Sequence, residues 1–164
     1  MMREPTTPVY RFGDLLGLAR RSWVKKVASE LEARGFPEYR LSDAGSVRLL
    51  FVAPRSVGEL GELLRVTRQA ARKVASNLET RGYATVAPDP DDARKLNVTL
   101  TEAGRAYGRA IAEVIASLNW ALALRFAPEQ LRSADAVLRA LIDDEALSAW
   151  AQTISGPKPP EAPP

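Results

Sequence analysis

The residues best equipped for chemistry in this 164-residue chain stand in one short stretch, Thr67 to Arg81 (TRQAARKVASNLETR). On a helical wheel of about 100° per residue, Ala71, Val74, Ala75 and Leu78 form one narrow apolar stripe. Gln69, Arg72, Lys73 and Ser76 fall on the opposite face, with Arg68 on its flank. These side chains suit a duplex. Arginine and lysine donate to guanine acceptors, glutamine pairs with adenine, and serine reaches a base edge or a phosphate. The helix N-terminus at Thr67 favours a phosphate. Five basic residues from Arg65 to Arg81 (Arg65, Arg68, Arg72, Lys73, Arg81) meet one acid, Glu79, while the whole chain carries a net charge of only +3. A basic strip on a near-neutral protein is the electrostatic footprint of a polyanion partner. A solvated amphipathic helix has the same wheel and is the commoner case, so the flanking sequence must decide.

That flanking sequence is informative. Ser56 and Glu59 have capping-box spacing and start a short helix with Leu60, Leu63 and Leu64 as its apolar side. Thr67 caps the next helix and Gly82 ends it. Tyr83–Pro88 and Lys95–Leu100 alternate as strands, with Leu96, Val98 and Leu100 on one face and a DPDDAR turn between them. Two short capped helices and a hairpin form a winged helix-turn-helix, with the second helix as the recognition helix. At the hairpin tip Asp89, Asp91 and Asp92 precede Arg94 and Lys95. Two readings stand here. Asp92 holds the Arg94 guanidinium extended for the minor groove, or the acids only shape a polar turn.

The positioning elements lie on both sides. Phe12, Leu15, Leu16, Ala19, Trp23, Val27 and Leu31 recur at helical spacing up to Arg34-Gly35. Ser42 is expected to cap a second helix bearing Ala44, Val47, Leu50 and Phe51, which stops before Pro54. Thr101 caps a long helix holding Tyr107, Ile111, Val114, Leu118 and Leu122 to about Phe126, roughly 39 Å of helix. Pro128 opens a final helix with Leu131, Leu138, Leu141, Ile142, Leu147 and Trp150. Residues 1–8 and the proline-rich 155–164 read as disordered tails. The resulting map is 9–54 for N-terminal helices, 55–100 for the winged helix-turn-helix and 101–154 for C-terminal helices, the outer helices being the expected scaffold, with the dimerisation role that the family resemblance given below implies. The fold class is mainly α with a small β-hairpin wing, flanked by long helices.

The chain has no cysteine and no histidine, which excludes disulfides, thiolate or imidazole metal sites and histidine acid–base catalysis. An enzyme is therefore not expected, nor a cofactor or bound metal. The longest apolar runs, Leu49–Ala53 and Trp120–Leu124, are too short to span a bilayer, and residues 1–12 lack a signal-peptide core. A cytoplasmic protein without membrane attachment is expected.

The run from Val66 to Gly104 resembles the MarR family of transcriptional regulators. Leu78-Glu79 with Gly82, Asp89-Pro90 with Asp92 and Arg94, and Leu100-Thr101 with Gly104 match that family's motifs in order and spacing. The likeness is sharpest over 56–105, and the helix layout fits over about 10–152. The resemblance implies a homodimer on palindromic double-stranded DNA, interleaved outer helices and a small-molecule pocket between dimer and DNA-binding regions. On that basis Arg65, Thr67, Arg68, Gln69, Arg72, Lys73, Ser76, Asp92, Arg94 and Lys95 are the candidate DNA-binding residues. Ala93 stands where the family often has an arginine, and the missing cysteine excludes thiol-based peroxide sensing.

Physical reasoning also favours a dimer, because the long helix and the apolar final helix exceed what a small central unit can cover. Trp23, Tyr39, Phe51, Tyr107 and Trp120 could line an effector pocket, with Arg20, Arg21 and Arg48 nearby in sequence to meet a phenolic or carboxylate ligand, although aromatics at helical spacing are more often plain core. The leading function is a ligand-responsive regulator, with repression the expected sign. Its alternatives are a winged-helix DNA-binding protein without an effector and a winged-helix protein-interaction module.

Overall fold

A computed structural model describes residues 11–154, so both predicted tails lie outside the described residues. The order is α1 (Phe12–Ala33), α2 (Leu41–Val52), β1 (Arg55–Ser56), α3 (Val57–Leu64), α4 (Arg68–Thr80), β2 (Ala84–Pro88), β3 (Leu96–Leu100), α5 (Glu102–Ala123), α6 (Pro128–Ala140) and α7 (Asp144–Ile154). The expected helices and hairpin are present, with three differences in their number or caps and one in helix length.

First, Arg40, not Ser42, is the N-cap of α2. The Asp43 carboxylate reaches back and accepts from the Arg40 backbone N–H at 3.0 Å, which leaves Ser42 inside the helix. Second, the hairpin gains a third strand. β1 pairs antiparallel with β3 through Arg55↔Val98 and Ser56↔Asn97, giving the order β1-β3-β2. Two residues are too few to show a period of two, so only the pairing reveals the strand. Third, the final helix is two helices. α6 ends at Ala140, and Asp143 starts α7 by accepting from the Ala146 N–H at 2.6 Å. The long helix α5 ends at Ala123, three residues early, and its 22 residues span about 33 Å.

The other caps are as expected. Ser56 Oγ accepts from Glu59 N–H at 3.2 Å while Glu59 accepts from Ser56 N–H at 2.7 Å, and these bonds hold the Glu59 carboxyl below its ordinary pKa. Thr67 Oγ1 accepts from Ala70 N–H at 3.2 Å. Helix α4 closes with Gly82 at φ 74°, where Gly82 N–H reaches Glu79 O and Tyr83 N–H reaches Leu78 O, both at 2.8 Å. This two-bond C-cap needs a left-handed residue, which glycine adopts without a Cβ clash.

One core joins the elements. Val27 and Leu31 of α1, Val47 and Leu50 of α2, Leu60 of α3, Ala71, Ala75 and Leu78 of α4, Val98 of β3 and Tyr107 and Val114 of α5 are all buried. The small residues of the α4 stripe let that helix lie tightly on α3, and Val98 with Leu100 tie the wing beneath it. Away from this core the apolar side chains lie open. Leu15 (59 % exposed) and Leu18 (53 %) lie in the first half of α1, Trp120 (54 %) and Leu124 (71 %) at the end of α5, and Leu141 (58 %) just after α6.

Candidate nucleic-acid interface

Helix α4 presents the face that the wheel assigns to it. Arg68, Gln69, Arg72, Lys73 and Ser76 are exposed, opposite the buried Ala71, Ala75 and Leu78. Among the described residues no carboxylate forms an ion pair with Arg68, Arg72 or Lys73. Three free cations on one helix face can meet phosphates or guanine edges without first giving up a partner. A cleft of about 460 Å³ opens between α3 and the wing, with Arg68 on one side and Lys95 and Asn97 on the other. Glu59, Glu62 and Asp89 also line it, so its charge is mixed.

Two members of the basic strip behave differently. Arg65 occupies the turn between α3 and α4 in the left-handed region, φ 55°, a conformation that costs a non-glycine residue about 1–2 kcal/mol. Its guanidinium pairs with Glu145 at the start of α7 and lies 3.9 Å from Asp143. In the single chain it is not free for phosphate. Arg81 does not reach the surface face at all. It turns inward and binds Asp43 through both carboxylate oxygens at 3.0 Å, with its side chain 11 % exposed. The sequence reading counted Arg81 in the basic strip; its charge is neutralised in the interior.

At the wing tip the turn reading holds, and Asp92 forms no ion pair with Arg94. Asp92 Oδ1 accepts from the Arg94 backbone N–H at 3.2 Å, and its other oxygen lies 3.8 Å from Lys95 Nζ. Asp89 accepts from the N–H groups of Asp91 and Asp92 at 2.8 and 3.0 Å and from the Asn97 amide at 2.6 Å. The Asn97 bond and the backbone bonds hold the Asp89 carboxyl below its ordinary pKa. These acids build the turn, as Asp does when it bonds the chain two or three residues on. Arg94 is exposed at the tip and, among the described residues, its guanidinium forms no ion pair.

The aromatic candidates do not come together as one site in the single chain. Tyr107 is fully buried, stacked on Tyr83 at 4.3 Å between ring centroids, and its hydroxyl donates to Asp43 at 2.7 Å. Burial first, then Asp43, raise its pKa well above the ordinary phenol value, so it is a neutral donor. Tyr107 belongs to the core. Trp23, Tyr39 and Phe51 are half-buried against that core, while Trp120 is exposed about 20 Å farther along α5. Sequence reasoning missed Asp43 and its bonds to Arg81 and Tyr107, which lie 38 and 64 positions away.

Comparison with known proteins agrees with this geometry. The MarR family model matches residues 49–95, from the end of α2 to the wing. An uncharacterized protein of Mycobacterium tuberculosis and one of Mycobacterium bovis are each 33 % identical over 129 residues, covering 79 % of this chain and 85 % of theirs. Among solved structures, the MepR–DNA complex of S. aureus superposes with a TM-score of 0.68 at 16 % identity, covering 81 % of this chain and 96 % of that one. A mutant MarR from E. coli complexed with operator DNA gives 0.66 at 17 % identity, covering 80 % and 94 %. FabT of Streptococcus pneumoniae in complex with DNA gives 0.65 at 20 % identity, covering 80 % and 92 %. With the winged helix-turn-helix, its motif residues and these relatives in agreement, the chain belongs to the MarR family.

Proposed function

We propose that this protein is a homodimeric, sequence-specific regulator of transcription that binds an inverted repeat in double-stranded DNA, most simply as a repressor in the cytoplasm. The observation that carries the reading is the outer face of α4, where Gln69, Arg72, Lys73 and Ser76 are exposed and the cations unpaired. No helix among the described residues is long and apolar enough to cross a membrane. The dimer is supported by the apolar ends of α1, α5 and α6, whose Leu15, Trp120, Leu124 and Leu141 are more than half exposed. Large apolar side chains left uncovered by the chain's own core fit an association site. Two recognition helices related by a twofold axis then meet major grooves about 34–36 Å apart.

Selection of bound fragments from random DNA tests the reading directly. An inverted repeat should emerge, and affinity should fall about 10³–10⁵-fold between 50 and 200 mM salt if roughly 6–10 phosphates are neutralised per dimer. No enriched sequence and no salt dependence would reject it. The wing supplies a finer expectation. Arg94→Ala should weaken binding mainly on operators with A·T-rich flanks, where the minor groove is narrow and its potential most negative. Binding measured on operators that differ only in their flanks checks this; an equal loss on all flanks would make Arg94 a plain phosphate contact.

A small aromatic or acidic molecule is the proposed effector. Trp23, Tyr39, Phe51 and Trp120 remain its candidate contacts, with Arg20 and Arg21 exposed on α1 beside Trp23 in sequence. Repeating the DNA selection with aromatic acids present tests this part separately.

A further inference from the structure

Asp43 is a carboxylate sealed in the interior, 1 % exposed, where three elements meet. It accepts four hydrogen bonds. Arg40 N–H at 3.0 Å comes from the start of α2, Tyr107 O–H at 2.7 Å from α5, and Arg81 Nη2, at 3.0 Å from each oxygen, from the end of α4. Arg81 is itself held at all three nitrogens. Its Nε donates to Asn77 O at 3.2 Å and its Nη1 to Glu38 O at 3.0 Å, and its guanidinium carbon lies 5.2 Å from the centroid of the Tyr83 ring.

Apolar packing would hold these elements together at least as firmly, since a buried ion pair seldom outperforms a hydrophobic replacement. What the polar cluster adds is direction. Apolar contacts tolerate sliding, whereas hydrogen bonds with fixed geometry admit one angle. The elements joined here are the recognition helix and α5, whose far end carries the exposed Trp120 and Leu124. A tilt of about 5° at the base of α5, about 33 Å long, moves its far end by about 3 Å, close to the 3.4 Å rise per base along one DNA strand. Such a tilt is enough to shift the register of two half-sites.

From this geometry we propose that Asp43 is a positioning residue that sets the angle of α4 against α5, and through it the half-site spacing that the dimer accepts, with Tyr107 and Arg81 as its two arms. The inference rests on the regulator reading, because only a dimer on DNA converts this angle into operator spacing. Asp43 touches no base in this role.

The test is Tyr107→Phe, which removes one O–H donor and keeps the ring stacked on Tyr83. Asp43→Asn is the companion variant, less suited because it strips Arg81 of its counter-charge and endangers folding. The chain has no cysteine, so Thr80→Cys at the exposed end of α4 gives one spin-label site per subunit. Two readouts are taken on the full chain: the distance distribution between the labels of the two subunits, without DNA, and binding to palindromes whose half-site spacing differs by one base pair. In the labelled parent a single narrow distance is expected, with binding at least about fivefold weaker at the wrong spacing, the size of one mismatched base pair. With Tyr107→Phe the distribution should broaden and more than half of that spacing penalty should vanish. An unchanged distribution and spacing profile, even with a lower melting temperature, would make the cluster merely structural and overturn the inference. A parent that shows no distance between subunits and binds no palindrome would remove the regulator reading and this inference with it, a result distinct from the previous one.

Discussion

Gly104→Ala is expected to unfold the DNA-binding unit or bring it to the edge of unfolding. A Cβ on residue 104 would lie 1.9 Å from the Tyr83 carbonyl oxygen and 2.8 Å from its carbon. Both are far inside van der Waals contact, and the obstruction is backbone. The carbonyl cannot easily retreat, because it accepts from Thr101 N–H at 3.1 Å, while Tyr83 N–H closes the α4 C-cap on Leu78 O at 2.8 Å. The Tyr83 ring, stacked on Tyr107, blocks a third route. Thr101 adds another lock, since its hydroxyl donates to Gly82 O at 2.7 Å and accepts from Gly104 N–H at 3.0 Å. The substitution should therefore cost about 4–5 kcal/mol or more, the range reserved for backbone and core disruption. That is a large part of a domain's usual stability of about 5–15 kcal/mol. At roughly 2–4 °C per kcal/mol, the melting temperature should drop by about 8–20 °C. Thermal unfolding followed by circular dichroism measures it; a change below about 1 kcal/mol would mean that α5 can slide off Tyr83 freely, and the close crossing described here would be wrong.

This result also gives a physical reason for part of the sequence pattern. Leu100-Thr101 with Gly104 is a place where α5 starts against the backbone leaving α4, so its threonine caps one helix while holding the end of another. Such features were legible in the sequence because they are local. Ser56 with Glu59, Thr67, Gly82, Thr101 and Pro128 mark helix ends by chemistry that acts within four residues. The outward face of α4 was legible for the same reason, as one helix and one period.

What the sequence hid acts across distance. Asp43 looks like any acid in a helix's first turn, and its three-residue spacing from Arg40 was the available sign that it, rather than Ser42, closes the N-cap. Its bonds to Arg81 and Tyr107 leave no periodic trace, so in sequence Arg81 is simply one more cation of the basic strip. The break between α6 and α7 was hidden because Leu138, Leu141 and Ile142 continue the helical period through it, while tightened backbone bonds close α6 and the Asp143 side chain caps α7. Asp92 kept two readings open for a related reason. Sequence places its carboxylate beside both Arg94 and Lys95, and the turn geometry decides for the Arg94 backbone and the Lys95 ammonium.

Arg72→Ala should produce the largest loss of operator binding from a surface substitution that leaves the fold intact. Arg72 is exposed at the fifth position of α4, in the N-terminal half of the helix, where recognition helices usually reach base edges. Its removal takes no packing from the core, since the buried stripe is on the other side of the helix. If its guanidinium forks onto guanine O6 and N7, affinity for the selected operator should fall by about 1–3 kcal/mol per contact, with a specificity change confined to one base position in each half-site. In a symmetric dimer the loss occurs twice, so about 10²–10⁴-fold overall is the expected scale. Lys73→Ala is the control on the same face. An ammonium is a point charge rather than a fork, so its loss should be smaller and less dependent on sequence. Binding to a panel of operators mutated one base at a time, each at two salt concentrations, separates the roles. A loss for Arg72→Ala that is uniform across the panel, with the salt slope reduced by about one per contact, would make Arg72 a phosphate contact. The burden of base recognition would then pass to Gln69 and Ser76, the exposed neutral residues of the same face.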